Sequence, residues 1–287
     1  MYRDKKVLLI GGGGTLGTHV STELLRLGCT VDVICLEDKV SENDRLSFYK
    51  GHVTREMLSN MFEKKHYEAI VNFIDYPNVE EYKQIHSFLS ANTDQLVFLS
   101  SYRVYADLEH PVTENAPLLL DVIEDKDFLE NEKYAVSKAR CERYIKESGT
   151  DNWTIVRPVI SFSHIRFDLI MHCWHKIIDD TKAGKTILLP SESRNLTAGL
   201  DWSGNSGKAI AHLLFKKDAL KEIFTISSAQ NLTWGEVAEI YTELLGAEFR
   251  WVDTDTYIQL DPDAKHDLWR LYYDRLYDRN IDNSKLL

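Results

Sequence analysis

The chain has 287 residues, 44% of them hydrophobic, and a formal net charge of −11 at pH 7. This composition supplies a large core, and the acidic balance argues against a nucleic-acid partner. Cys29, Cys35, Cys141 and Cys173 show no CxxC or zinc spacing and fit reduced thiols of a cytoplasmic protein; no apolar run approaches ~18–20 residues, so no membrane span is expected, and residues 1–10 meet glycine too soon for a signal peptide.

The predicted elements begin with the apolar run Val7–Ile10, which leads straight into Gly11, Gly12, Gly13 and Gly14, then Gly17. Glycines at 11, 14 and 17 give the spacing GxxGxxG. Helical spacing follows over about 15–27, then a second apolar run over Val31–Leu36. Strand, glycine turn, helix and strand is the context in which backbone approaches a pyrophosphate and a helix N-terminus points at it. Further strand-like runs are Ala69–Phe73, Leu96–Leu99, Thr154–Val156 and Glu222–Ile226. Helical runs lie at about 55–65, 79–91 and 131–148. This alternation predicts an α/β fold, a Rossmann-type doubly wound parallel sheet.

Beyond residue 158 the pattern loosens. It predicts a helix over Phe167–Lys182, a strand over Thr186–Leu189, a helix over about 204–216, and one through Leu245 opened by a Thr233–Glu236 capping box. The Rossmann domain is expected over 1–158, with a return segment at about 204–232. Residues 159–203 and 233–287 would form a smaller C-terminal substrate lobe. Trp269, Tyr272, Tyr273 and Tyr277 have the spacing of a helix's core face. His172 and His175 lack a third ligand of convincing spacing, so no metal is expected.

A second chemical signal is Tyr134–Ala–Val–Ser–Lys138. In a helix, a spacing of four puts Tyr134 and Lys138 on one face, and an ammonium beside a phenol lowers its pKa toward useful values. Ser101, at the end of the run Leu96–Leu99, lies about thirty residues upstream. There its hydroxyl can donate to a substrate oxygen.

Glycine turn, strand-end serine and Tyr/Lys helix, in this order, resemble the extended short-chain dehydrogenase/reductase superfamily, the NAD-dependent epimerase/dehydratase type. Val97–Tyr105 (VFLSSYRVY), Arg157–Pro158 and Leu232–Thr233–Trp234 extend the resemblance over nearly the whole chain. The resemblance implies an NAD(P)-dependent epimerase or reductase of a nucleotide-linked sugar. Ser101, Tyr134 and Lys138 would be its catalytic triad. Gly11, Gly13, Gly14, Thr15, Leu16, Gly17, Glu37, Phe73, Lys138 and Pro158 would hold the cofactor. Tyr102, Arg166 and Arg194 would face the substrate, although either arginine also reads as an ordinary surface ion pair.

The departures are informative. The slot for an acid at the end of the second strand falls near Cys35, and Glu37 and Asp38 come one or two residues late. The local negative charge favours NAD, with NADP not excluded. Gly51–His52 stands where the family often has Gly-Asp, and the loop after Phe73 is short. Tyr102 and Arg103 stand where dehydratases carry an Asp-Glu pair, which argues against a 4,6-elimination. The alternative reading is a non-catalytic dinucleotide-binding module that senses redox state or binds a partner. A homodimer through Val79–Ala91 and Glu132–Lys146 is a further expectation, with Ile85, Phe88 and Leu89 as its apolar stripe.

Overall fold

A strand with apolar side chains on both faces has to be covered on both sides. Val7, Leu8, Leu9 and Ile10 are all fully buried, and this segment, β1 (Lys6–Ile10), is the middle of the molecule. The computed structural model describes residues 1–287, the side chain of Asp263 apart. After β1 come α1 (Thr15–Arg26), β2 (Thr30–Cys35), β3 (Leu46–Lys50), α2 (Arg55–Phe62), β4 (Ala69–Asn72), α3 (Val79–Ser90) and β5 (Leu96–Leu99). Short helices α4 (Leu119–Val122) and α5 (Lys126–Asn131) precede α6 (Ala135–Glu147) and β6 (Trp153–Pro158). The rest comprises β7 (Ile160–Phe162), α7 (Trp174–Lys182), β8 (Thr186–Pro190), β9 (Leu200–Trp202), α8 (Ser203–Leu213), β10 (Glu222–Ile226), α9 (Trp234–Leu245), β11 (Glu248–Val252) and α10 (Thr254–Leu260).

Seven strands form one sheet in the order β10-β6-β5-β4-β1-β2-β3, with every neighbouring pair parallel. From β1 the chain builds outward to β2 and β3, then returns to build β4, β5, β6 and β10 on the other side. Ligands of such sheets bind outside the carboxyl ends of the strands at this reversal. The Rossmann-type fold expected from the sequence is therefore the observed one. A second apolar core gathers Leu169, Ile170, Ile177, Leu189, Trp234 and Tyr257 beneath the two small parallel pairs β8–β11 and β7–β9.

Several local expectations change. The strand β3 is half-buried along its length and carries no strong apolar run, so hydrophobicity did not reveal it. The helix expected over Phe167–Lys182 begins only at Trp174, because Ser163–Arg166 and Leu169–His172 close into bridged turns. The helix expected over 131–148 is divided: Tyr134 is the N-cap of α6, not an interior residue. Trp269 and Tyr273 do pack on buried Phe128, whereas Tyr272 is exposed. On α3, Leu89 is buried in the sheet's own core with Ile85 and Phe88 against it, and Phe88 lies beneath the Arg55 guanidinium.

One buried ion pair ties the elements that carry the functional residues. Arg157 on β6 meets Glu142 on α6 in a two-pronged contact, Nε to Oε1 at 2.9 Å and Nη2 to Oε2 at 2.5 Å. Ser100, at the end of β5, donates to Glu142 Oε1 at 2.5 Å. Both charged side chains are at most 1% exposed. Removing one member of a buried pair strands the other charge in a low-dielectric interior. Arg157→Met should therefore lower stability by about 3–5 kcal/mol. The double variant Arg157→Met/Glu142→Leu should recover much of that loss. Equilibrium denaturation of both proteins checks this, and a single variant no less stable than the double one would contradict it.

Candidate active site

The glycine turn owes its shape to three close approaches. Gly11 has φ +74°, in the left-handed region that favours glycine. A Cβ on Gly17 would strike the Gly12 carbonyl, so the first turn of α1 can lie directly on the loop. A Cβ on Gly13 would strike the Glu37 carboxylate and Cys35. Gly14 differs: a Cβ there meets nothing within 4 Å. Gly14 is the N-cap of α1, and no side chain caps that helix start. The N–H groups of the first turn are thus left for an anion, which the helix dipole also favours.

Two hollows flank this turn and share Gly11 and Gly14. One is a cleft of about 490 Å³ lined by Thr15, Leu16, Gly17, Phe73, Ser101, Tyr102, Arg103, Tyr134, Pro158, Arg166, Arg270 and Arg275, among others. The other, about 270 Å³, is lined by Gly13, Cys35, Leu36, Glu37 and His52. Glu37 thus reaches the end of β2 although it comes late in the sequence, and Lys39 Nζ donates to the Gly13 carbonyl nearby. An elongated ligand lying across the turn would have one end at Glu37 and the other at Ser101 and Tyr134.

Ser101 is held by a turn of 3-10 helix over Tyr102–Val104, with the Arg103 N–H donating to its Oγ at 3.2 Å. Its hydroxyl shares the cleft with the Tyr134 phenol and draws that group's pKa down. Tyr134 is fixed from the other side by Glu132, whose Oε2 accepts from the N–H groups of Tyr134 (3.0 Å) and Val136 (2.9 Å). That carboxylate opens α6 from two residues before the N-cap. Burial raises the phenol's pKa, while the Ser101 hydroxyl and the Arg103 guanidinium pull it back down. The guanidinium lies 5.0 Å from the Tyr134 ring centre.

Lys138 sits one helical turn on, its N–H accepted by the Tyr134 carbonyl. Its side chain behaves differently from the expectation. Nζ donates to the carbonyls of Ile74 (3.1 Å) and Leu99 (2.9 Å), lies 3.6 Å from Asp75, and is 5.9 Å from the Tyr134 ring centre. Burial lowers its pKa, and Asp75 opposes that shift. In this geometry the ammonium clamps α6 to the ends of β4 and β5, and Arg103 is the cation that acts on the phenol.

Of the residues expected to face a substrate, Tyr102 and Arg166 line the cleft. Tyr102 is buried and donates to Asp274 Oδ1 at 2.6 Å; Arg166 pairs with Asp168 at 3.1 Å. Arg194 is not among the cleft-lining residues. It lies over Trp251, at 5.6 Å, beside a separate hollow under α9. Sequence reasoning missed Arg103 as a partner of Tyr134, and missed Asp274, Arg270 and Arg275 entirely. They come from the aromatic tail, which folds back so that Leu271–Arg275 forms one π-helical turn against Tyr102.

A family model described as "NAD dependent epimerase/dehydratase family" matches residues 7–226, which carry both the glycine turn and the Ser101–Tyr134 pair. The chain belongs to this family. A curated relative, a UDP-glucose 4-epimerase of Lactobacillus helveticus, is 28% identical over 39% of this chain, and the chain spans only 41% of that relative's length. Among solved structures, the UDP-glucose 4-epimerase of Thermus thermophilus in complex with NAD is similar with a TM-score of 0.65 and 17% identity, over 98% of this chain and 91% of that one. A short-chain dehydrogenase/reductase superfamily protein of Agrobacterium tumefaciens, with bound NAD, has a TM-score of 0.67 and 16% identity over 86% and 85% of the chains.

The turn makes a discriminating pair of substitutions. Gly14→Val should leave folding intact, since its side chain enters open space, yet weaken NAD binding by more than tenfold, or about 1.4 kcal/mol. Gly17→Ala should instead lower the melting temperature, because its methyl group meets backbone. Calorimetric NAD titrations and thermal unfolding of both variants check the assignment; unchanged NAD affinity in Gly14→Val would refute it.

Proposed function

We propose that the chain is an NAD-dependent epimerase or reductase of a nucleotide-linked sugar, working through Ser101, Tyr134 and Lys138. The observation that carries this reading is that Ser101 and Tyr134 line one cleft that begins at the glycine turn, with the Arg103 guanidinium 5.0 Å from the Tyr134 ring centre. The UDP-glucose 4-epimerase relatives support the substrate class.

The residues present fit the dinucleotide. Thr15, Leu16 and Gly17 offer uncapped N–H groups to a pyrophosphate, and Gly11 and Gly14 leave it room. Glu37 offers a carboxylate to ribose hydroxyls on the far side and would repel a 2′-phosphate, which favours NAD over NADP. Phe73 and Pro158 line the path toward the reacting end. When bound, the nicotinamide supplies or accepts hydride.

The chain's own residues handle the proton. Tyr134 Oη takes a proton from a substrate hydroxyl or returns it to a carbonyl oxygen. Ser101 Oγ holds the same oxygen through its hydrogen. Arg103 favours the phenolate without direct contact, and Lys138 fixes α6 so that Oη stays beside Ser101. Because burial holds the phenol's pKa high, oxidation of a hydroxyl should speed up as pH rises.

One observation favours a second reading, a non-catalytic dinucleotide-binding module: the Lys138 ammonium is fully engaged by Ile74, Leu99 and Asp75. Turnover separates the two. Protein loaded with NAD should be screened against UDP-, dTDP-, GDP- and CDP-sugars and their 4-keto forms, following hydride transfer and product sugar. With an active substrate, Tyr134→Phe should retain NAD affinity and lose roughly 10²–10⁴-fold in rate. Arg103→Gln should move the alkaline rise of the oxidation rate to higher pH, because the cation that favours the phenolate is gone. A wild-type rate in Tyr134→Phe would refute the mechanism. NAD binding without turnover across the panel would support the module.

A further inference from the structure

The cleft concentrates positive charge at its reacting end, in a chain whose net charge is −11. Arg103, Arg166, Arg270 and Arg275 line it together with Ser101 and Tyr134. Arg279 lies behind them, almost wholly buried. The carboxylates nearby are too few to balance them. Arg166 is taken by Asp168. Arg103, Arg275 and Arg279 then share Asp274, with Glu132 3.7 Å from Arg103.

Asp274 is itself saturated. It accepts from Tyr102 (2.6 Å) and Arg275 Nη1 (2.5 Å), and lies 3.3 Å from Arg103 Nε and 3.6 Å from Arg279 Nη2. Arg270 makes no ion pair within 4 Å among the described residues, although Asp274 and Asp267 act on it from farther away. Its Nη2 donates to the Ile170 carbonyl at 3.3 Å, and its buried Nε has no hydrogen-bond partner among the described residues. Burial and the neighbouring Arg275 both press its pKa down. A half-buried guanidinium with no close carboxylate is open to an anion, and guanidinium groups recognise carboxylate and phosphate oxygens through paired, charge-assisted hydrogen bonds.

From the surplus of guanidinium groups over carboxylates beside Tyr134, we infer that Arg103, Arg270 and Arg275 bind an anionic substituent, a carboxylate or a phosphate ester, on the part of the substrate that reacts. This charge is additional to any diphosphate of a nucleotide. It rests on the proposed site at Ser101 and Tyr134: Arg103 spans from Asp274 to the Tyr134 ring, and Arg275 donates to Tyr102, the residue after Ser101. An anion held there lies within reach of the group that exchanges its proton with Tyr134. The same anion would fill the charge balance that Asp274 alone leaves open.

The test uses the protein saturated with NAD and calorimetric titration with five probes: UDP-glucose, UDP-glucuronate, free D-glucuronate, D-glucose 6-phosphate and D-glucose. The inference expects UDP-glucuronate to bind at least tenfold tighter than UDP-glucose, or glucose 6-phosphate to bind where D-glucose does not. The first result assigns a carboxylate, the second a phosphate ester. Arg270→Gln should bring the ratio of charged to neutral affinity close to one, and Arg270→Lys should restore part of it; Arg103→Gln gives an independent second variant if Arg270→Gln folds poorly. Equal affinity for charged and neutral probes, or a ratio unchanged in a folded Arg270→Gln protein, would overturn the inference. Binding of a free anionic sugar with no binding of either UDP-sugar would uphold the anion site and refute the nucleotide part of the proposed function. Failure of all five probes to bind would overturn both.

Discussion

The two-pronged contact between Arg157 and Glu142 is the constraint on which the site depends. It joins the helix that carries Tyr134 and Lys138 to the strand that ends in Pro158, and through Ser100 to the strand end that carries Ser101. Arg157 also donates to the Glu114 carbonyl and stacks on Tyr105, so the pair is enclosed by the connection between β5 and α6. A buried ion pair contributes little net stability compared with apolar packing, but it accepts only a narrow range of geometries. Here that narrowness fixes the positions of the serine and the tyrosine relative to each other. Lys138 acts in the same sense from the other end of the turn, by donating to carbonyls at the ends of β4 and β5.

The electrostatics of the cleft follow from what is buried there. A buried phenol is a weak acid, and its pKa is brought back only by groups close enough to act through protein. Ser101 and Arg103 are those groups at Tyr134, with Asp75 and Asp274 opposing them. Under the proposed mechanism two cations share what was expected of Lys138 alone: its ammonium holds α6 to the ends of β4 and β5, and Arg103 acts on the phenol. Arg103 can do so because Asp274 and Glu132 hold its side chain across the ring of Tyr134. The tail supplies Asp274, so the electrostatics of the reacting end require the last part of the chain to be folded against the sheet.

What was legible in the sequence was whatever local chemistry dictates. Four apolar residues before a glycine run can only be a covered strand and a tight turn, and β1, α1 and β2 lie where that pattern puts them. The capping box of Thr233 and Glu236 starts α9 as read. Strand β3 was hidden because an edge strand is half-exposed and lacks an apolar run. The start of α6 was misplaced because Glu132 caps it through a side chain two residues upstream of Tyr134, which periodicity does not register. Ser101 and Tyr134 were singled out because Ser101 follows the run Leu96–Leu99 and Tyr134 stands four residues before Lys138, and both line the cleft. Asp274 and Arg275 were not, because their contact with Tyr102 spans more than 170 residues of chain and rests on an irregular turn.

The central claim is that the glycine turn and the Ser101–Tyr134 pair are two ends of one dinucleotide site. The most direct measurement is a crystal structure of the protein with NAD bound. The account predicts the pyrophosphate on the N–H groups of Thr15, Leu16 and Gly17, the adenosine toward Glu37, and the nicotinamide ring in the cleft against Ser101 and Tyr134. A nicotinamide ring directed away from Tyr134, or a pyrophosphate held anywhere but on the first turn of α1, would contradict it.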